Sequence, residues 1–284
     1  MPKLTVLITC KDERHNIREC IESVRDIAEE ILVADSGSTD GTLELVRAIG
    51  GCRIIEREYF NPADFKNWAI PQATRPWILI LDADERVTPE LAEEIRFLLD
   101  GTPSCDGYCL RRRNYLLGYK VRYSGWGTTT ILRLIRRDVC RYREGWVHEE
   151  MFVPSGRVGT LSGKLVHHSC IDFESYLARM NRYTTWWARD AFAKGRRIGY
   201  FGLLFRPIVR FTYNFTVRGG FLDGIGGLFV CGLTGCYVFL KYAKLWEMHH
   251  SRTKESPVME SFPSSRRFAR NAATCAVEEH QTIP

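Results

Sequence analysis

The sequence predicts an α/β fold, in which a mainly parallel sheet with helices on both faces is joined by antiparallel strands and followed by a helical extension. Four short apolar runs alternate with helical patterns at spacings of about 20 to 30 residues, which is typical of βαβ units. The last run is wholly apolar, as expected for a strand buried on both faces. These runs occupy residues 4–9, 31–34, 52–55 and 77–81.

Length and composition suit a globular protein. The 284 residues are 45% apolar, enough for one large core or for one domain with an extension. The ten cysteines form no Cys-x-x-Cys pairs, and the first residues do not resemble a signal peptide. We therefore expect reduced thiols in a cytoplasmic protein, which argues against a disulfide scaffold or a zinc site.

The charge is distributed unevenly along the chain. Residues 1–175 carry 24 Lys and Arg against 27 Asp and Glu, whereas residues 176–284 carry 16 against 7. A basic C-terminal third suits either nucleic acid or an anionic membrane surface. Here the basic residues stand among aromatic and apolar ones, which favours peripheral membrane contact through residues 171–248 and not nucleic acid. A buried helical cap on the catalytic domain has equal weight.

These patterns divide the chain into three parts. Residues 1–170 form the predicted catalytic domain, 171–248 the helical, basic and aromatic extension, and 249–284 a polar tail expected to be disordered. Residues 225–240 are uncharged, but this run is shorter than the roughly 20 residues that a spanning helix needs. Between residues 106 and 168 we expect antiparallel strands. Their arginines, at 111, 112, 113, 133, 136 and 137, suit an anionic acceptor or, more commonly, a solvated strand edge.

The strand at residues 77–81 ends in Asp82-Ala83-Asp84. Ligands of open α/β sheets bind at the carboxyl ends of the strands. Two carboxylates this close repel each other unless a cation neutralises them, and oxygen ligands suit Mg²⁺ or Mn²⁺. The motif therefore predicts a metal-diphosphate site. An ordinary strand exit that leads into a helix cap explains the same residues equally well.

Asp35 ends the strand that begins at Ile31. A carboxylate at this position suits a ribose hydroxyl or a base amide, although a plain helix N-cap is the commoner use of such a residue. Neither a Gly-x-Gly-x-x-Gly fingerprint nor a P-loop occurs in the chain, so a dinucleotide fold and an ATPase are not indicated.

Taken together, the motifs resemble family 2 glycosyltransferases, and in particular the lipopolysaccharide and lipooligosaccharide core β-1,4-glucosyltransferases. The resemblance covers about 240 residues and rests on the joint order of the segments more than on any one of them. The segments are 5–13, 31–41, 65–67, 79–85, 125–126, 132–134, 147–149, 165–167 and 218–224.

The resemblance implies the GT-A nucleotide-sugar-binding fold and an inverting transfer from a nucleotide-activated sugar. It also implies Mg²⁺ or Mn²⁺ bound by Asp84, with His167 as a further ligand and His168 as its alternative, although two half-exposed histidines at a strand end explain the pair as well. The residues that would bind the donor, a UDP-sugar by preference, are Thr9, Glu13, Asp35, Lys66, Asn67 and Asp82.

Inversion needs a base that removes the proton of the acceptor hydroxyl. Glu149 is the preferred candidate and Glu150 and Asp138 are weaker ones, while the plainer explanation of Glu149 is a surface charge beside a strand. With Asp84, Glu149 completes the predicted catalytic pair.

The resemblance further implies a reaction that moves a sugar, glucose by preference, to a hydroxyl of a lipid-linked or lipopolysaccharide-core-type saccharide at the cytoplasmic face of the inner membrane. A sugar-phosphate nucleotidyltransferase is the alternative enzyme, but residues 9–16 lack the glycine-rich loop that it would carry. A catalytically idle membrane scaffold is the alternative from another class. The intact carboxylates Asp82, Asp84 and Glu149 argue against it.

Overall fold

The computed structural model describes residues 4–143, 150–169 and 172–250, and these residues form two compact units. The first unit contains residues 4–115 and 128–169 of the described chain, and the second contains residues 116–127 and 172–250.

The strands, in chain order, are β1 (Leu4–Cys10), β2 (Glu30–Asp35), β3 (Cys52–Glu56), β4 (Trp77–Asp82), β5 (Glu85–Val87), β6 (Gly107–Leu116), β7 (Tyr119–Lys120), β8 (Thr128–Arg136), β9 (Arg141–Tyr142), β10 (Met151–Phe152) and β11 (Val158–His168). The helices are α1 (Ile17–Glu22), α2 (Thr42–Ile49), α3 (Pro62–Ala69), α4 (Pro89–Asp100), α5 (Phe173–Ala193), α6 (Tyr200–Thr212) and α7 (Gly224–His250).

The sheet of the first unit has the strand order β3-β2-β1-β4-β8-β6-β11-β5. Strands β1 to β4 are parallel, as the alternation of strands and helices predicts. Strand β8 is antiparallel to both β4 and β6, and β5 is antiparallel to β11. The predicted mixed α/β architecture is therefore confirmed. One detail differs from the expectation, because β11 is parallel to β6.

Helices cover both faces of this sheet. Alternate residues of β1 point to opposite faces: Val6 packs with Ile17 of α1 in one buried cluster, and Leu7 packs with Phe65 of α3 in the other. Helices α2 and α4 lie on the α1 face through residues such as Val46 and Leu91. Strand β4 contributes to both clusters, which explains its wholly apolar sequence.

Helix α4 approaches β11 closely at Gly163. A Cβ atom on this residue would lie 2.5 Å from the Cα of Leu91. The Glu94 carboxylate on α4 accepts hydrogen bonds from the backbone N–H groups of Ser162 and Gly163, at 2.9 and 2.7 Å. The pairing of β11 with β6 shifts register between Thr160 and Lys164. The carboxylate on α4 accepts hydrogen bonds from the backbone N–H groups of this irregular segment in place of a neighbouring strand.

The second unit is helical from residue 173 onward, as predicted for residues 171–248. Its core joins Tyr176 and Met180 of α5 to Val230 and Tyr237 of α7. The uncharged run 225–240 lies within α7, which is 27 residues long. By length and composition one described helical segment, Gly220–His250, could cross a membrane, but 44% of its apolar window is buried inside the protein. Such a segment is weak evidence for a span.

Candidate functional site

The predicted site residues of the first strands meet at one edge of the sheet. In the register of the parallel strands, Thr9 on β1 lies beside Asp82 on β4, and Cys10 lies beside Asp35 on β2. The carboxyl ends of β1, β2 and β4 therefore bring the Thr9, Asp35 and Asp82 side chains to the same edge, where α/β sheets bind their ligands.

Asp82 is held by the chain's own cations. Its Oδ2 accepts a hydrogen bond from Arg133 and lies 3.5 Å from Nη2 of Arg112. Its Oδ1 accepts a 3.0 Å hydrogen bond from Thr9 and lies 3.5 Å from Nζ of Lys66. Burial alone would raise the pKa of Asp82, but Arg133, Lys66 and Arg112 together hold that pKa well below its ordinary value. Asp82 is therefore ionised and already neutralised.

Beneath Asp82 lies Glu85, which is completely buried and forms ion pairs with Arg112 and with Arg133. Its Oε2 also accepts a 3.0 Å hydrogen bond from the Asp82 N–H. We call these five residues (Lys66, Asp82, Glu85, Arg112 and Arg133) the buried ion cluster. Its formal charge is +1, because three cations face two carboxylates.

The buried ion cluster is not predicted from the sequence. Arg112 and Arg133 do not lie on a solvated strand edge, since only 4% and 2% of their surfaces are exposed. A signal was present at Arg133, which stands alone among apolar residues in the run Ile-Leu-Arg-Leu-Ile. A strand buried on both faces leaves such an arginine no route to solvent, so it must find buried carboxylates.

The turn that follows β4 is fixed through its backbone. The Ala83 N–H donates to the Thr9 carbonyl at 3.2 Å, and the Ala83 carbonyl accepts from the buried Arg86 at 2.9 Å. The Asp84 carbonyl accepts from the His168 N–H at 3.0 Å. These bonds hold Asp84 at a set position between the ends of β4 and β11.

Asp84 lies next to His167, so the structure brings together the two residues that were predicted to bind a metal ion. Asp84 Oδ2 is 3.5 Å from Nε2 of His167, whose Nδ1 lies 2.9 Å from Oδ1 of Asn114. The Asn114 amide is oriented by its Nδ2, which donates to Thr129 Oγ1 at 3.4 Å. With Oδ1 as acceptor, the proton of a neutral His167 is on Nδ1, which leaves the Nε2 lone pair facing Asp84.

This pair fits a divalent ion that takes its other ligands from substrate. In the described ranges no group of three or more His, Cys, Asp or Glu side chains could hold an ion alone. Mg²⁺ and related ions are commonly held by one or two protein ligands together with phosphate oxygens and water. Asp84 with His167 supplies such a partial set, whereas the oxygens of Asp82 are already bound to cations and to Thr9.

The Asp35 carboxylate is occupied by its own loop. Oδ2 accepts from the N–H groups of Gly37 and Ser38, each at 2.8 Å, and Oδ1 accepts from the Ser38 hydroxyl. Asp35 is fully buried, so its observed role is to shape the turn after β2.

The remaining predicted donor residues lie on α3 and in the loop between β1 and α1. Lys66 is buried within the ion cluster, and its Nζ lies 5.4 Å from the ring centroid of Tyr142. Asn67 donates to the Tyr142 carbonyl at 2.8 Å and accepts from the Tyr142 N–H at 2.9 Å, so it anchors β9. Glu13 is half-buried and accepts from Asn16 at 2.8 Å.

The preferred base, Glu149, lies outside the described residues. The two weaker candidates pair with neighbouring arginines: Glu150 with Arg143 at 3.2 Å, and Asp138 with Arg137 at 2.8 Å. His168, the alternative metal ligand, stacks on Tyr115 at 5.2 Å between ring centroids. Burial, and then the nearby Arg86, lower the pKa of His168, which favours its neutral form.

Comparison with known proteins identifies the family of this chain. A family model described as glycosyl transferase family 2 matches residues 5–149. The chain belongs to this family and is a glycosyltransferase.

Among its relatives, the lipopolysaccharide core biosynthesis glycosyltransferase LpsC of Rhizobium meliloti is 34% identical over 88% of this chain and 94% of its own length. The uncharacterised glycosyltransferase RT0209 of Rickettsia typhi is 25% identical over 87% of this chain and 88% of its own length.

The solved structures that are similar to this chain include the mannosyltransferase PcManGT of Pyrobaculum calidifontis in complex with GDP-Man and Mn²⁺. It is 17% identical, with a TM-score of 0.47 over 86% of this chain and 87% of that one. Another is TarS 1–349 of S. aureus in complex with UDP-GlcNAc, 12% identical, with a TM-score of 0.44 over 87% and 91%.

Proposed function

We propose that this glycosyltransferase moves a sugar, with glucose as first choice, from a UDP-sugar to a hydroxyl of a lipid-linked saccharide of the lipopolysaccharide-core type. The reaction inverts the anomeric centre and takes place at the cytoplasmic face of the membrane. The description of LpsC, the relative at 34% identity, supports the acceptor class. The Asp84–His167 pair at the end of the sheet is the observation on which the mechanism rests.

The donor diphosphate would lie over the carboxyl ends of β1 and β4. A divalent ion bound by Asp84 and His167 would supply Lewis-acid stabilisation of the charge that develops on the departing nucleotide. Asn114 keeps His167 in the orientation that ligation requires. The buried ion cluster adds its excess positive charge at the same edge, which also favours an anionic leaving group.

The donor residues divide into two groups under this proposal. Lys66 acts electrostatically, while Thr9 orients Asp82 toward the ribose side of the nucleotide. Asp35, Asn67 and Glu13 shape the loops that border the base, because their polar atoms hold backbone or neighbouring side chains. Glu149 would remove the proton from the acceptor hydroxyl on the opposite face of the sugar.

Two observations argue against the alternative functions, a nucleotidyltransferase and an idle scaffold. A sugar-phosphate nucleotidyltransferase would not belong to glycosyl transferase family 2, whose model covers residues 5–149. An idle scaffold would not need an oriented histidine beside Asp84 or a set of buried charges around Asp82, since buried ionic groups are costly to maintain.

The experiment that tests this proposal is a transfer assay with the full chain. UDP-, GDP- and dTDP-sugars are offered with a lipid-linked core saccharide, in the presence and absence of Mn²⁺, and the product linkage is determined by NMR. We expect transfer from UDP-glucose only when the ion is present, with inverted configuration. Transfer of a nucleotidyl group, or no transfer from any donor, would contradict the proposal.

A further inference from the structure

Helix α6 of the second unit turns its bulky apolar side chains toward solvent. None of its residues is buried. Phe201, Leu204 and Ile208 have the i, i+3, i+7 spacing of a single helix face, and they are 81%, 60% and 53% exposed. Phe205 and Val209 widen this face and are 51% and 63% exposed. We call these five residues the α6 apolar face.

The opposite side of α6 packs against α7 through smaller contacts. A Cβ atom on Gly235 of α7 would lie 3.3 Å from the Pro207 carbonyl oxygen and 3.6 Å from the Phe211 Cβ. The two helices therefore approach closely at Gly235. This packing fixes the direction of α6, so its apolar face points away from α7.

An amphipathic helix of a globular protein normally buries its apolar side. Contiguous exposed apolar side chains of this size mark a surface that binds something else. The exposure continues beyond α6, because Val217, Phe221, Leu222 and Ile225 are each more than half exposed. Packing within the described second unit thus leaves nine large apolar side chains between residues 201 and 225 more than half exposed.

The charge around this face identifies its partner. Residues 194–222 contain no Asp or Glu. They contain six basic residues: Lys194, Arg196, Arg197, Arg206, Arg210 and Arg218. Arg206 lies over the Tyr242 ring of α7 at 4.8 Å, on the side of the helix away from the α6 apolar face. A segment that combines exposed apolar side chains with an excess of cations and no carboxylate is complementary to the interface of an anionic bilayer.

We propose that α6 is an interfacial membrane-binding helix, which lies in the plane of an anionic phospholipid surface with Phe201, Leu204 and Ile208 inserted. This assignment goes beyond the transfer reaction, since it requires neither donor nor acceptor. It also brings the enzyme to the surface in which a lipid-linked acceptor would reside.

The test is co-sedimentation of the full chain with sucrose-loaded vesicles of phosphatidylcholine, with and without phosphatidylglycerol. We expect the wild-type protein to partition onto the vesicles that contain phosphatidylglycerol. The double variant Phe201→Glu/Ile208→Glu should lower the partition coefficient at least about tenfold, because it places two charges in the acyl boundary. Circular dichroism shows whether this variant keeps its helix content.

Two further variants separate insertion from charge and from general hydrophobicity. Phe97→Glu on α4 of the first unit is the matched control, because Phe97 is 85% exposed and should leave partitioning unchanged. Arg196→Gln with Arg197→Gln, at two exposed positions just before α6, should lower binding to phosphatidylglycerol vesicles about tenfold, and ~0.5 M salt should do the same.

Three results would overturn the proposal. The first is a wild-type protein that stays in the supernatant with both kinds of vesicle. The second is a folded Phe201→Glu/Ile208→Glu variant that binds as the wild type does. The third is a dimer in light scattering that this variant converts to a monomer, which would make a second copy of the chain the occupant of the α6 apolar face.

Discussion

Arg112 and Arg133 define the site at the scale of single residues. A pair of carboxylates separated by one residue predicts a neutralising cation, and for Asp82 that cation is part of the chain. Asp84 differs, because its neighbour is a histidine with an oriented ring. The sequence identifies both aspartates, but it does not show that one pairs with arginines and the other lies beside a histidine. That difference arises because β6, β8 and β11 are adjacent in the sheet.

The buried ion cluster can be tested through Glu85. Glu85→Gln leaves Arg112 and Arg133 buried with one carboxylate fewer, so we expect the free energy of unfolding to fall by about 3 kcal/mol in urea denaturation. Glu22→Gln is the control, because the Glu22–Arg18 pair is exposed. This substitution should change the free energy of unfolding by no more than about 0.5 kcal/mol. Equal effects of the two substitutions would show that the cluster does not stabilise the fold.

Glu149 is tested by kinetics. If it is the base, Glu149→Gln should lower kcat at least about a hundredfold while UDP binding stays near that of the wild type. Glu150→Gln is the matched control, since Glu150 pairs with Arg143, and it should retain most of the activity. A fully active Glu149→Gln enzyme would remove Glu149 from the mechanism.

At the scale of elements, periodicity predicted the parallel half of the sheet well, because each of its strands carries its own apolar signal. The later strands were harder to predict. β11 pairs in parallel with β6, more than 40 residues earlier, and nothing local in either strand specifies the direction of that pairing. The irregular segment near Gly163 likewise depends on Glu94 from another element.

Gly163 tests the contact between α4 and β11. Gly163→Ala would place a methyl group against the Leu91 backbone, so we expect a loss of about 1–3 kcal/mol in the free energy of unfolding. Gly232→Ala is the contrasting substitution, because it lies in α7 with no neighbouring atom near the new Cβ. It should be neutral or stabilising, by up to about 1 kcal/mol. A neutral Gly163→Ala would show that the two elements can separate without cost.

At the scale of the whole molecule, composition predicted a reduced chain that carries its cysteines as small hydrophobic residues. The eight described cysteines are free thiols, and five of them are buried: Cys10, Cys20, Cys109, Cys140 and Cys231. Burial raises the pKa of Cys140 and of Cys231 to about 11, and it raises those of Cys10 and Cys20 further. The raised pKa values keep these four thiols protonated at neutral pH.

Alkylation tests which cysteine thiols are exposed and which are buried. With iodoacetamide near neutral pH, we expect the exposed Cys236 to react first and the five buried thiols to react only after denaturation, as measured by peptide mass spectrometry. The half-buried Cys52 and Cys105 should be intermediate. Rapid native labelling of Cys10 or Cys20 would contradict the tight packing at the carboxyl end of β1.

Calorimetric titration of UDP into the full chain shows whether a divalent ion at Asp84 binds the nucleotide diphosphate. We predict that Mn²⁺ strengthens UDP binding to the wild-type protein and to an Asp138→Asn control, whose substituted residue is exposed and paired with Arg137. Asp84→Asn should bind UDP equally weakly with and without the ion. If the substitution left the effect of Mn²⁺ intact, or if Mn²⁺ had no effect on the wild type, the proposed metal site would be wrong.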